Sequence, residues 1–159
     1  MCRALAILKN RINLELIEEY NLRSHVRQRS DAAEEEIVFD FADRSHEPQL
    51  PVLHDGQMLI YDWGNRGGRV PKLPKTGWCR QESLQAGTWR WLEPEPVVIP
   101  AQFGLEKGVW FSITDGVKGV VVLDQQKRPH VYMLTQEAST YYRNMTKHDR
   151  MPVLVGEQI

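Results

Sequence analysis

Cys2 follows the first residue of the chain, and His148 opens the run His148-Asp149-Arg150-Met151-Pro152 near its other end. Removal of Met1 would give Cys2 a free α-amine beside its thiol, a 1,2-aminothiol that no internal cysteine provides. With reference pKa values of about 7.7–8.0 for an α-amine and about 8.5 for a thiol, part of the amine is unprotonated at neutral pH. Such an amine forms a Schiff base with an aldehyde, and the thiol then closes a five-membered thiazolidine. An imidazole, flanked in sequence by a carboxylate and a guanidinium, suits proton transfer. Both residues also have plainer readings. With Met1 retained, Cys2 is an ordinary early residue, and His148 after a helix is a cationic cap on its carbonyls.

Tyr132-Met133-Leu134-Thr135-Gln136-Glu137-Ala138, followed by His148-Asp149-Arg150-Met151-Pro152-Val153-Leu154, is similar to the strand, helix and HDRMP signature of the SOS response-associated peptidase (SRAP) family. Met1-Cys2 with Arg3, Trp63-Gly64, Arg80-Gln81-Glu82-Ser83 and Ile99-Pro100-Ala101 leading to Glu106 follow the order of that family, so the resemblance covers most of the chain. It implies recognition of abasic sites in single-stranded DNA and covalent capture of the opened sugar by the N-terminal cysteine as a thiazolidine crosslink. By motif position it makes Cys2 the nucleophile, Glu106 the carboxyl group that assists ring opening, and His148 the acid/base. Arg3, Arg80 and Arg150 become phosphate ligands. The chain departs from the family where Trp78-Cys79-Arg80 stands in place of the usual Asn-Ala-Arg, and it lacks the glycine that usually follows the cysteine.

A length of 159 residues with 42% hydrophobic content fits one domain spanning 1–159. Twenty basic against 21 acidic residues leave a net charge of −1, so any attraction to nucleic acid must come from a local surface. The charges are segregated. Asp31 and Glu34-Glu35-Glu36 form an acidic stretch expected to be a solvated loop, whereas Arg66, Arg69, Lys72, Lys75 and Arg80 form a basic one without an intervening acid. The two cysteines are far apart and no histidine has ligand-like spacing, so neither a disulfide framework nor a metal site is expected, and no cofactor. No apolar run approaches the ~20 residues of a membrane span, and the apolar stretch after Arg3 is too short for a signal peptide. These features fit a cytoplasmic monomer of bacterial or phage origin.

The hydrophobic pattern predicts a strand over 3–9, an amphipathic helix over 12–28, a strand over 37–41 and a hairpin turning at Asp55-Gly56. Residues 64–77, rich in glycine, proline and cations, read as a long functional loop. Further strands are expected at 88–92, 97–100, 109–113, 119–123 and 130–135, with Asp115-Gly116 closing a second hairpin. A helix over 137–146 and a strand over 151–155 follow. The fold class is therefore α+β, with a strongly bent, barrel-like, mostly antiparallel sheet and a few flanking helices.

Arg66 and Arg69 beside tryptophans make a single-strand surface, with Trp78 as a stacking residue, because bases stack on aromatic rings while cations neutralise phosphate. A solvated charged face and core tryptophans are the plainer alternatives. Glu106, between Gly104 and Gly108, could equally form a surface-turn salt bridge. Two functional rivals stand beside abasic-site crosslinking: a non-covalent single-stranded DNA-binding module, and a cysteine-dependent peptidase using Cys2 and His148.

Overall fold

A computed structural model describes residues 1–28 and 34–156. In chain order the strands are β1 (Ala4–Leu8), β2 (Val26–Arg27), β3 (Glu36–Asp40), β4 (Gln49–His54), β5 (Gln57–Trp63), β6 (Trp78–Arg80), β7 (Glu95–Ile99), β8 (Phe103–Glu106), β9 (Val109–Ser112), β10 (Val117–Leu123), β11 (Pro129–Glu137) and β12 (Arg150–Pro152). The α-helices are short: α1 (Leu14–Glu19), α2 (Gln81–Gln85) and α3 (Thr140–Thr146).

The strands form two sheets. One is antiparallel in the order β2-β3-β1-β8-β9. In the other, β10-β7-β4-β5-β11 returns to β10 and closes a five-stranded barrel, mixed because β5 and β11 run parallel. Closure removes the exposed edges that an open sheet would present. Strands β6 and β12 both attach to β11 beyond the barrel. Ala4, Leu5, Ala6 and Ile7 are buried on both faces of β1, and Leu5, Ile7 and Phe39 of the first sheet share a core with Leu50, Val52, Ile99 and Met133 of the second. The α+β class and barrel-like sheet expected from the sequence are what the chain forms.

The hairpin at Asp55-Gly56 is present, with both turn residues in the left-handed region at φ of 52° and 78°. The turn at Asp115-Gly116 is not a hairpin: β9 belongs to the first sheet and β10 to the barrel, so this turn carries the chain between sheets. The long helix expected over 12–28 is only α1. Asn21 adopts the left-handed conformation, a 3-10 turn spans Leu22–His25, and Val26 pairs with Ile37 of β3. Ile12, Ile17 and Leu22 are still buried, so the apolar spacing was satisfied by a broken element. The expected strand over 88–92 is a turn with 3-10 residues Arg90–Leu92; buried Trp89 and exposed Trp91 imitate strand alternation there. Within the acidic stretch, Glu36 is fully buried in β3 and not solvated, while Asp31 lies outside the described residues. No helix of the described residues is long and apolar enough to cross a membrane.

Candidate active site

Three distant segments place polar groups around the start of the chain. The first is the β8–β9 hairpin, whose turn residues Lys107 and Gly108 have φ of 47° and 80°. This tight reversal leaves Glu106 on the last position of β8 with its side chain only 3% exposed. Gly104, two residues earlier, is required by packing: a Cβ there would lie 2.5 Å from Cζ of Phe111. Phe111 in turn packs edge-on against Tyr142, with centroids 5.2 Å apart.

The second segment is α3. Ser139 caps it, its Oγ accepting from the Tyr142 N–H at 3.1 Å, and Lys147 ends it in the left-handed conformation at φ 62°. The reversal at Lys147 turns His148 away from the helix, where the His148 N–H donates to Thr146 Oγ1 at 3.3 Å. Tyr142 is buried, and its hydroxyl donates to Glu106 Oε1 at 3.3 Å. Burial, reinforced by Cys2 and Glu106 nearby, pushes the Tyr142 phenol well above the ordinary tyrosine range, so it remains a donor.

The third is the N-terminal strand. The Met1 ammonium lies 2.7 Å from His148 Nε2 and 3.2 Å from Glu106 Oε1. The other ring nitrogen, Nδ1, lies 3.0 Å from the Arg150 backbone nitrogen and 3.1 Å from the Arg150 carbonyl, so the ring is anchored on β12 while Nε2 faces the ammonium. Cys2 is fully buried, its Sγ donating to the Ala4 carbonyl at 3.3 Å. Burial, followed by the charge of Glu106, pushes this thiol up to about 12, which keeps it S–H at neutral pH. The peptide linking Cys2 to Arg3 is held at both polar ends: the Cys2 carbonyl accepts from Trp78 Nε1 at 3.0 Å, and the Arg3 N–H donates to the Leu105 carbonyl at 3.0 Å.

Cys2, Glu106 and His148 are therefore neighbours, with the amine of residue 1 seated between the last two. Glu106 ends a hairpin, as its spacing allowed, but it is buried and not a surface-turn residue.

The cationic residues divide. Arg3 and Arg80 are exposed, Arg3 beside Asp40 at 3.2 Å and Arg80 3.9 Å from Glu82. Arg150 is largely buried and forms a two-pronged pair with Glu82 at 2.6 and 3.1 Å, while also donating to Thr135 Oγ1 at 3.2 Å. Arg150 holds the Glu82 carboxyl down to about 2. Arg66 is turned into its own loop's support, donating to the carbonyls of Phe41, Asp43 and His46 at 2.7–2.9 Å. Arg69 is exposed and paired with Glu47 at 2.6 Å. Trp78 packs against Phe41 and Trp63 with centroids 4.7 and 5.8 Å away.

The sequence assigned no role at this site to Tyr142 or Thr135 and did not single out Arg150 as the partner of Glu82. Their signal was present in part, since Arg80-Gln81-Glu82-Ser83 and the β11 segment were both noted for their motifs and only the pairing between them was invisible. Away from this site, ligand atoms of His54, Asp55 and Glu95 lie within 4.8 Å of one another, a grouping that histidine spacing did not suggest; the imidazole lies 2.9 Å from Glu95 and 2.8 Å from the Tyr61 hydroxyl. A groove of about 640 Å³ next to them, between Trp91, Leu123 and Lys127, contains none of the residues expected to act.

Two crystal structures resemble this fold. One, of a protein from Bacteroides thetaiotaomicron, aligns with a TM-score of 0.59 at 13% identity over 98% of this chain and 78% of its own. Another, from Bordetella bronchiseptica, aligns with a TM-score of 0.57 at 17% identity over 98% of this chain and 84% of its own. Both came from a structural genomics consortium, and at these identities the likeness is one of fold. No protein-family profile and no curated protein matches the sequence.

Proposed function

We propose that the chain acts as a SRAP-like protein, capturing abasic sites in single-stranded DNA through Cys2 once Met1 has been released. The observation that carries this reading is the convergence of the chain's first amine with Glu106 and His148, which are 105 and 147 positions away in sequence. Loss of Met1 transfers the terminal amine to Cys2, one residue deeper and beside its own thiol.

In the reaction, Glu106 or His148 relays the proton that opens the sugar to its aldehyde. The amine of Cys2 adds to the aldehyde carbon, and loss of water gives the imine. The sulfur then bonds to that carbon, its proton ending on the ring nitrogen; aminothiol and aldehyde give thiazolidine and one water. A thiol held as S–H makes the amine the first nucleophile, which also weighs against a peptidase that begins with a Cys2 thiolate. Fixed placement of the amine beside its proton carriers supplies the rate advantage of an intramolecular encounter. Exposed Arg3 and Arg80 are the phosphate ligands best placed to meet DNA, with Arg150 bracing the strand behind His148.

The second reading, non-covalent DNA binding, is favoured where Met1 stays, because its ammonium then fills the space between Glu106 and His148. Intact mass before and after incubation with single-stranded DNA carrying one abasic site separates the two. Crosslinking requires a starting mass without Met1 and a heat-stable adduct that Cys2→Ala abolishes. Absence of an adduct from protein lacking Met1 would leave the binding module.

A further inference from the structure

Trp78 is the first residue of β6, which pairs in parallel with β11 through Met133. Its ring is confined by Phe41 and Trp63. Trp63 is itself fixed, fully buried, with Nε1 donating to the Gly77 carbonyl at 2.9 Å. The same Gly77 carbonyl accepts from Met133 N–H at 3.0 Å. Gly77 has no space for a side chain, because a Cβ would stand 2.6 Å from Phe41 Cε1 and 2.8 Å from Trp63 Nε1. The indole of Trp78 is thus held in one orientation, and its single polar atom is directed at the Cys2 carbonyl.

That contact matters because of what grips the other end of the same peptide. The plane joining Cys2 to Arg3 is rigid, and its N–H is held by the Leu105 carbonyl. With the carbonyl held by Trp78 as well, the plane is fixed at both polar ends, and Sγ is fixed by Ala4. From the Cα of Cys2 the chain then runs through its nitrogen to Met1, whose ammonium is held between Glu106 and His148.

We propose that Trp78 is a positioning residue for the Cys2 amine, acting through the hydrogen bond from its indole to the Cys2 carbonyl, and is not a platform on which a DNA base stacks. This rests on the reading of Cys2 as the reactive amine.

The test compares protein lacking Met1 with Trp78→Phe, which keeps a ring in the cluster and removes the donor. A second variant carries 3-benzothienylalanine at position 78 alone, with the indole's shape and no N–H, in case phenylalanine loosens the cluster. Each is reacted with abasic single-stranded DNA over a range of concentrations and, separately, with glyoxylate, an aldehyde that needs no DNA site.

Positioning predicts that the rate at saturating DNA falls about threefold to tenfold, as expected for one lost hydrogen bond. The glyoxylate rate should fall by a similar factor, with half-saturating DNA unchanged. A raised half-saturating DNA concentration with the saturated and glyoxylate rates intact would overturn the proposal in favour of base stacking. Equal rates in all three proteins would overturn it too, with the crosslinking function still standing. If the unsubstituted protein reacts with glyoxylate faster than a free Cys-Arg peptide but not with abasic DNA, the DNA reading fails; a Trp78-dependent glyoxylate rate would then still support positioning.

Discussion

The cluster around the chain's first residues and the loop over 64–77 both look functional in sequence, and they are built in opposite ways. The cluster assembles one acid, one imidazole, one phenol and one amine from three distant segments, the phenol and the imidazole both from α3 and the turn that ends it. The loop concentrates cations within a short stretch, but Arg66 is directed inward to three carbonyls and Arg69 is paired with Glu47. Within a run of like charges Arg66 thus serves to hold neighbouring backbone, whereas unlike residues spread along the sequence meet around the first amine, where the proposed reaction would take place. What marks a site is convergence of complementary groups, and density of one charge type is weaker guidance.

The contrast is most severely tested at Glu106. Glu106→Gln should slow crosslinking by about 100-fold or more, the usual scale for losing a positioned acid/base, measured in single-turnover gel assays; a rate within about threefold of the parent would remove the cluster's claim. Arg66→Ala should leave crosslinking at saturating DNA nearly unchanged but lower stability by about 2–4 kcal/mol, since three charge-assisted hydrogen bonds to carbonyls disappear. Urea unfolding reads that loss, and Arg66→Lys should not restore it because an ammonium lacks the planar fork.

Gly77→Ala sharpens the point at which the two regions touch. Its Cβ would strike Phe41 and Trp63, costing about 1–3 kcal/mol through overpacking and slowing reaction at Cys2 through Trp78. Arg80→Gln should reduce the slope of log K against log salt by about 0.7, one phosphate contact on a single strand. Arg69→Gln should not change it, and an equal reduction there would return the loop to the DNA face. The smallest effect is expected at Glu82. Its carboxyl is depressed to about 2 by Arg150, so the pair contributes above the unfolded-state value near 4.5 and loses its contribution as pH falls through about 2. Glu82→Gln should flatten the fall in thermal midpoint across that interval, modestly, because Glu82 is largely exposed.

Sequence reading reached the barrel-like sheet because most strands are short, apolar and separated by turn residues. It also named Cys2, Glu106 and His148, by motif and not by periodicity. It failed where a local pattern fits two structures. Asp115-Gly116 has the chemistry of a hairpin turn, yet only the partners of β9 and β10 decide whether those strands pair with each other. The spacing of Ile12, Ile17 and Leu22 suits a continuous helix, but Asn21 and the pairing of Val26 with Ile37 break it. β8 was missed because Gly104 weakens its strand signal, and the reason for that glycine, the ring of Phe111, belongs to another strand. That the Trp78 indole donates to the Cys2 carbonyl was not legible either, because its orientation is set by neighbours, Phe41 and Trp63, distant in sequence.

The separation between Met1 and His148 also orders events in time. At roughly 5–20 residues per second of synthesis, residue 1 emerges on the order of 10 s before the histidine that will accept from its amine. An aminopeptidase working on a nascent chain would meet an unfolded, accessible start; after folding, the Met1 ammonium lies against Glu106 and His148. Under the proposed function, trimming would therefore compete with folding, and a chain that folded first would keep the Met1 ammonium between Glu106 and His148.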